Sequence, residues 1–378
     1  MNTEMKRNIT SAIVRILASA AAVIVSLTAC QEKEDPDLDP IPVTEDLSSS
    51  ATANCYIVTD AGNYKFKTVQ GNTSTSVGSV ASAEVLWETF GTSTAPNVGD
   101  LISAADYENG YITFSATSKK GNAVIAAKDA SDTILWSWHI WLTDQPQDQV
   151  YNNNAGTMMD RNLGATSASQ GNVGAYGLFY QWGRKDPFPG SSSLSSNSVA
   201  KSTISWPSAV PSNSSNGTIA YATAHPTTFI TYDSSNYDWY YTGSSSNDDT
   251  RWSSGKSAYD PCPPGYRVPD GGDGGVWSKA FGTSTTWTTP SNWDSSNKGM
   301  NFGSTDKTLG SGNIRYPAPG CLGDSDGAIY GVGHYGGFWS CTANGTYAYT
   351  LYFYSEGRVS PSYGFFRAFG QSVRCVKE

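Results

Sequence analysis

Ile134-Leu135-Trp136-Ser137-Trp138-His139-Ile140-Trp141-Leu142 is the stretch on which the fold turns. Ile134, Trp136, Trp138, Ile140 and Leu142 recur at period two, so in an extended chain they share one face and require a core beneath it. His139 falls on the opposite face and reads as an exposed structural histidine. Working outward, Asn122-Ala123-Val124-Ile125-Ala126-Ala127-Lys128 is a second strand, joined to the first as a hairpin through Ala130-Ser131-Asp132. Tyr111-Ile112-Thr113-Phe114 is a third, set off by the turn-rich Ser118-Lys119-Lys120-Gly121. No helical pattern of useful length occurs between Ala51 and Asp144, and residues 51–147 therefore predict a β-sandwich.

Gln145-Pro146-Gln147 interrupts the strand pattern, and composition changes beyond it, so a second domain is expected over 148–378. Val276 to Phe281 predicts a short helix after the turn-rich Pro269-Asp270-Gly271-Gly272. Ala348 to Tyr354 alternates Tyr349, Leu351 and Phe353 with Thr350, Tyr352 and Tyr354, one set for a core and one facing outward. Gln371 to Lys377 is short enough to be a closing strand, which gives an α+β reading. The Ser/Asn/Thr-rich tract from Gly190 to about Gly217 reads as a long surface loop.

At the other end, Lys6 and Arg7 precede an apolar, alanine-rich run that ends in Leu27-Thr28-Ala29-Cys30. Small residues before a cysteine after such a run are a secretory signal with a lipobox, so residues 1–29 are expected to be removed and Cys30 to be lipidated. Arg15 interrupts the run, which is short of the ~20 apolar residues a membrane span needs. Residues 30–50 begin Gln31-Glu32-Lys33-Glu34-Asp35-Pro36-Asp37, an acidic stretch that cannot bury apolar area and reads as a solvated tether. Loss of Lys6, Arg7, Arg15 and Glu4, a net +2, takes the formal charge from −9 to −11, which argues against nucleic acid as a partner. Twelve Trp and 22 Tyr beside 38 Gly suggest β-structure with amphipathic contact surface of the kind binding loops use.

A set of motifs in the second half carries a resemblance. Met159-Asp160-Arg161-Asn162-Leu163-Gly164, Gly177-Leu178-Phe179-Tyr180-Gln181-Trp182-Gly183-Arg184, Cys262-Pro263-Pro264-Gly265-Tyr266-Arg267, Phe338-Trp339-Ser340 and Ser372-Val373-Arg374-Cys375 stand in this order. They resemble the successive motifs of the Fibrobacter succinogenes major paralogous domain, which implies a C-type-lectin-like fold, one that accepts long insertions. Asn54-Cys55-Tyr56-Ile57-Val58 and Trp136-Ser137-Trp138-His139-Ile140-Trp141 resemble the β-domain that accompanies this module in Bacteroidetes surface proteins related to fimbrillins. The acidic stretch after Cys30 likewise resembles the export signal of outer-face lipoproteins. Together these imply a lipid-anchored adhesin at the outer membrane surface, with fimbrial subunits among its partners or as a free lipoprotein. Cys262 and Cys375 sit inside two of the matched motifs and are the disulfide candidate, with two buried thiols as the alternative; Cys321 with Cys341 is a second candidate pair.

Candidate chemistry is sparse. Gly331-Val332-Gly333-His334-Tyr335-Gly336 matches G-x-G-x-x-G, but the following Phe338-Trp339-Ser340-Cys341 reads as strand where a dinucleotide site needs a helix. Asp270, Asp273, Asp324 and Asp326 bring oxygen ligands close in sequence, yet neither group has the spacing of a twelve-residue calcium loop, and ordinary turns explain them. His139, His225 and His334 are widely spaced, and H-E-x-x-H, C-x-x-C and G-x-S-x-G do not occur. The expectation is no catalytic centre, no cofactor and no metal site.

The remaining signal is aromatic. Tyr335, Phe338, Tyr347, Tyr352, Tyr354, Tyr363, Phe365, Phe366 and Phe369 are expected to bind a ligand, while Trp339, Tyr349 and Phe353 are expected in the core. Tyr363 to Phe369 reads as a loop just before the last strand, where rigid rings supply contact area at low entropy cost. In some lectin-like relatives this terminal stretch is diversified, and the resemblance extends that expectation here. The function expected is an adhesin or binding protein for an extracellular protein or glycan. A glycan-capturing lipoprotein of a polysaccharide-uptake system and a structural fimbrial subunit are the alternatives.

Overall fold

The hairpin around Asp132 forms as its sequence predicts, with Ala123 opposite Ile140, Ile125 opposite Trp138, and Asp132 itself in the left-handed region at φ 65°. A computed structural model describes residues 44–288, 292–303 and 307–378, and Thr44–Glu378 make one compact unit. The expected signal peptide, Cys30 and residues 31–43 of the expected tether lie outside the described residues, whereas Thr44–Asp46 pair with Asn63–Lys65, Leu47 packs on the core and Ser48 is buried, which corrects the tether reading carried to residue 50. Eight strands build the first half: β1 (Thr44–Asp46), β2 (Cys55–Val58), β3 (Gly62–Lys67), β4 (Ser82–Thr89), β5 (Ile102–Glu108), β6 (Tyr111–Ala116), β7 (Gly121–Lys128) and β8 (Ile134–Leu142). They pair into two four-stranded sheets, β1-β3-β6-β5 and β2-β8-β7-β4, and the chain as a whole is rich in β-sheet. Phe66, Ile112, Phe114, Ile125, Trp138 and Ile140 fill the space between the two sheets, so the period-two face of β8 does cover a core.

The opposite face of β8 is not exposed. Cys55, Trp87, Val124 and Trp141 from the second sheet share a core cluster with Met159, Leu163, Tyr180, Trp182, Trp252 and Trp339 from the carboxy-terminal half. The sheet β2-β8-β7-β4 is therefore covered on both sides. His139, expected at the surface, is 2% exposed, which corrects that reading. The alternation test identified the more apolar face; it missed that Trp141, Val124 and Trp87 make the other face sticky too. Polar side chains on this face are paired across the layer: Trp141 Nε1 donates to Ala165 O at 3.0 Å, and Ser137 Oγ to Asp186 Oδ1 at 2.6 Å. His139 Nε2 lies 2.9 Å from Asn122 Oδ1, and burial lowers the imidazole pKa to about 3, so the ring is neutral.

In the second half β9 (Asp148–Tyr151) pairs with β10 (Gly156–Met159), and the closing strand, expected over Gln371–Lys377 but limited to Val376–Lys377, lies between β10 and Tyr266–Arg267. The end of the chain thus returns beside the strand that opens this half. β11 (Tyr180–Gln181) pairs with Gly370–Gln371. Cys262 and Cys375 are bonded with Cα atoms 6.0 Å apart, whereas Cys321 and Cys341 are both free and buried, so that second pairing does not form. The helix predicted from Val276 to Phe281 is present; Ile219–Ala224 adds a short one capped by the Thr218 side chain. The Ser/Asn tract is mostly loop, but an anchored one, and Val210–Pro211 within it pairs in parallel with Ile230–Thr231. Its Lys201 and Thr203 amides donate to the Thr92 and Glu88 carbonyls, and Trp206 packs edge-on against Trp87 at 5.4 Å. The tract thereby covers the end of edge strand β4, which would otherwise offer unpaired backbone groups.

Candidate functional site

Three long antiparallel strands, Tyr335–Asn344, Tyr347–Tyr354 and Arg358–Phe366, form a sheet extended by Trp287–Thr288. Arg358–Phe366 is strand where the sequence reads as loop, so Tyr363, Phe365 and Phe366 are displayed from a paired backbone. The glycine and proline punctuation that suggested a loop is absorbed by a register shift between Thr350 and Tyr352. Alternation along Tyr347–Tyr354 sends Leu351 and Phe353 into the core with Phe338 and Val359, and leaves Tyr352 and Tyr354 on the other face. Phe338 is fully buried, with Tyr316 and Phe353 rings 4.8 and 5.9 Å from its own, so it is a core residue and not a ligand contact. Trp339 and Phe353 are buried as expected, while Tyr349 is only half-buried.

On the outward face the tyrosines form a continuous patch. Tyr335 stacks parallel to Tyr354 at 6.1 Å, Tyr352 stacks on Tyr363 at 5.0 Å, and Phe365 closes on Tyr352 at 5.3 Å. Tyr352, Tyr354 and Tyr363 line a groove of about 410 Å³, together with Thr286, Glu356, Arg358, Val359 and Ser360. That volume is within the range of sites for small organic ligands. Burial first, then the neighbouring Tyr354 and Tyr363, push the Tyr352 phenol above its usual pKa, so its hydroxyl stays protonated and able to donate. Glu356 and Arg358 stand on the turn and strand that follow Tyr354, and among the described residues neither forms an ion pair. The groove therefore pairs flat apolar rings with a free acceptor and a free donor fork.

The other expected ligand residues divide differently. Tyr335 sits beside the groove with its hydroxyl turned inward, 2.6 Å from Cys321 Sγ. Phe365 and Phe369 are half-buried and pack against the central cluster. Tyr347 and Phe366 belong to a separate stack with Tyr237, at 4.7 and 4.3 Å, and Tyr237 adopts a left-handed backbone at φ 53°. Sequence reasoning missed Thr286, Glu356, Arg358 and Ser360. The signal available was the hairpin: Ser355-Glu356-Gly357 between two aromatic strands places the polar residues on either side of it at the same sheet end.

Among the described residues no group of three or more His, Cys, Asp or Glu converges on a common point. Asp270 bonds Arg267 at 2.7 Å, and Asp326 accepts from the Ala328 amide and the Tyr330 hydroxyl, so both serve local turns. Gly331 and Gly333 take positive φ in a tight loop against Tyr335 and Leu194, where a Cβ has no room. Comparison with protein-family models, with curated proteins and with solved structures found no match.

Proposed function

We propose that this chain is a lipid-anchored surface binding protein whose carboxy-terminal module, of C-type-lectin-like type, holds a glycan in the groove lined by Tyr352, Tyr354 and Tyr363. The observation that carries the proposal is the composition of the groove. Exposed tyrosine faces stack on the apolar faces of pyranose rings, and flanking charged side chains hydrogen-bond the hydroxyls around each ring's edge. Arg358 and Glu356 are free to do this because, among the described residues, no ion pair occupies them. A sheet-borne site also suits an adhesin, since rings fixed on paired strands lose little entropy on binding. The motif resemblance and the lipobox at Cys30 support attachment to the outer membrane surface, with no catalytic role and no required cofactor. The −11 charge expected after signal removal supports a partner other than nucleic acid.

The test is a glycan array with the lipid-free secreted chain, comparing wild type with Tyr354→Ala and Tyr363→Ala. Binding lost in both variants, with unchanged thermal unfolding, supports the groove. Equal binding by all three proteins places the ligand elsewhere. Capture of extracellular proteins alone, with no glycan signal, replaces the glycan with a protein ligand at the same surface.

A further inference from the structure

A second pocket, remote in sequence from the groove hairpin, is lined by Asp160, Arg161, Gln170, Arg315, Pro317 and Arg374, and its free space is about 10 Å³. The charges in it do not balance. Asp160 uses both oxygens on Arg161, at 2.8 and 3.0 Å, and Arg161 also pairs with Asp144 at 3.0 Å. Arg374 is 1% exposed, and its Nε and Nη2 share one acceptor, Asn162 Oδ1, while its guanidinium lies over the Tyr316 ring at 3.8 Å. Among the described residues no hydrogen bond of ordinary length reaches its Nη1, whose only further neighbour of note is the neutral Tyr151 hydroxyl, and neither polar atom of the Gln170 amide has a partner. No carboxylate among the described residues pairs with Arg374 or Arg315. Asp294, whose carboxyl senses Arg315, spends its oxygens on the Ser296 and Asn297 amides and the Asn297 side chain.

A buried guanidinium without a counter-charge is costly, and a neutral partner does not remove that cost. We infer that the pocket bounded by Arg374, Arg315 and Gln170 binds a small inorganic anion, chloride. The site offers Arg374 Nη1 and Gln170 Nε2 as donors and Arg315 as a second positive charge. Its free space is close to that of one small sphere, which suits a single-atom anion better than a tetrahedral oxyanion. Because Arg374 precedes Cys375 of the disulfide and Asn162 lies in the opening motif, an anion there ties the two ends of the carboxy-terminal half together.

Thermal unfolding of the full chain tests this in buffers where chloride replaces gluconate at constant ionic strength. The expected result is a saturable rise of the unfolding midpoint with chloride, and a chloride affinity roughly tenfold weaker in Arg315→Gln, the more exposed of the two unpaired arginines. Crystals soaked in bromide should show anomalous scattering within reach of Arg374 Nη1. A midpoint indifferent to chloride overturns the inference, as does a dependence unchanged in Arg315→Gln, which is surface screening. Equal protection by sulfate overturns the assignment to a single-atom anion. A bromide peak only at the protein surface also overturns it.

Discussion

The ring of Tyr363 stacks on that of Tyr352, centroids 5.0 Å apart and planes 29° from parallel, and Tyr363 remains 45% exposed. Phe338, two strands away, is sealed completely. Truncation should therefore separate ligand contacts from core. Phe338→Ala removes a ring with no route for collapse and should cost ~3–5 kcal/mol in urea denaturation. Tyr363→Ala should cost less than ~1 kcal/mol, since an exposed aromatic pair contributes little beyond its area. Similar losses in both variants would place Tyr363 in the core and remove it from the groove.

How much of this was legible beforehand follows from which interactions are local. Period two in Ile134–Leu142 revealed a strand and one buried face, because alternation is a property of the strand alone. The burial of His139 was not legible, since it depends on Tyr180 and Ala165 of the second half arriving on the far side. The aromatic residues of the groove were visible as a cluster, but their sorting needed pairing registers. Phe338 and Tyr352 differ only in which face of the sheet they occupy, and the bulges that set those faces leave no mark in composition. Of the closing strand expected over Gln371–Lys377 only Val376–Lys377 forms, because the backbone of Ser372 and Val373 bonds instead to Trp339, Gly337 and Leu163, partners that lie far off in sequence.

The Cys262–Cys375 bond closes a loop of 113 residues. It joins the segment before Tyr266–Arg267 to the residue before Val376, two strands already paired in one sheet. Its stabilisation should thus come from the unfolded chain, where the model for a loop this long gives ~4–5 kcal/mol. A Cys262→Ser/Cys375→Ser double variant should lose about that much and keep its circular dichroism spectrum below the transition. A loss under ~1 kcal/mol would mean that the unfolded chain is already held compact near these ends.

Asp238 is wholly buried between two guanidiniums: it pairs with Arg251 and lies 3.8 Å from Arg367. Both arginines also rest against the Trp182 ring, at 5.1 and 4.5 Å. Asp238→Asn removes the charge the two share and leaves Arg251 unpaired in the interior. The expected loss is ~3–5 kcal/mol, larger than for Asp249→Asn, whose carboxylate faces solvent beside Arg367. Comparable losses in the two variants would show that solvent reaches the Asp238 pair.

Two buried titrating groups should oppose each other in mild acid. His139 is held to a pKa of about 3 by burial, below the 6.5 of an exposed imidazole. As pH falls below about 6.5 the unfolded chain takes up a proton that the folded one refuses, so this group's contribution to stability is lost on acidification. Asp260, buried and accepting from the Cys262 and Val268 amides, is raised to about 6 from 3.8, with burial the larger influence. Between those values the folded chain holds the proton, so its contribution is gained on acidification and lost as pH rises through about 6. The two slopes, each up to ~1.4 kcal/mol per pH unit, should nearly cancel from about pH 6 to 4, leaving the wild-type profile flat there. Asp144, held low first by its bond to Arg161, titrates only below that window. Asp260→Asn should expose the histidine's slope, with stability falling as pH drops; His139→Gln should expose the opposite slope. Urea midpoints measured at half-unit steps decide it, and a variant profile parallel to wild type would show that the substituted group is hydrated in the folded chain.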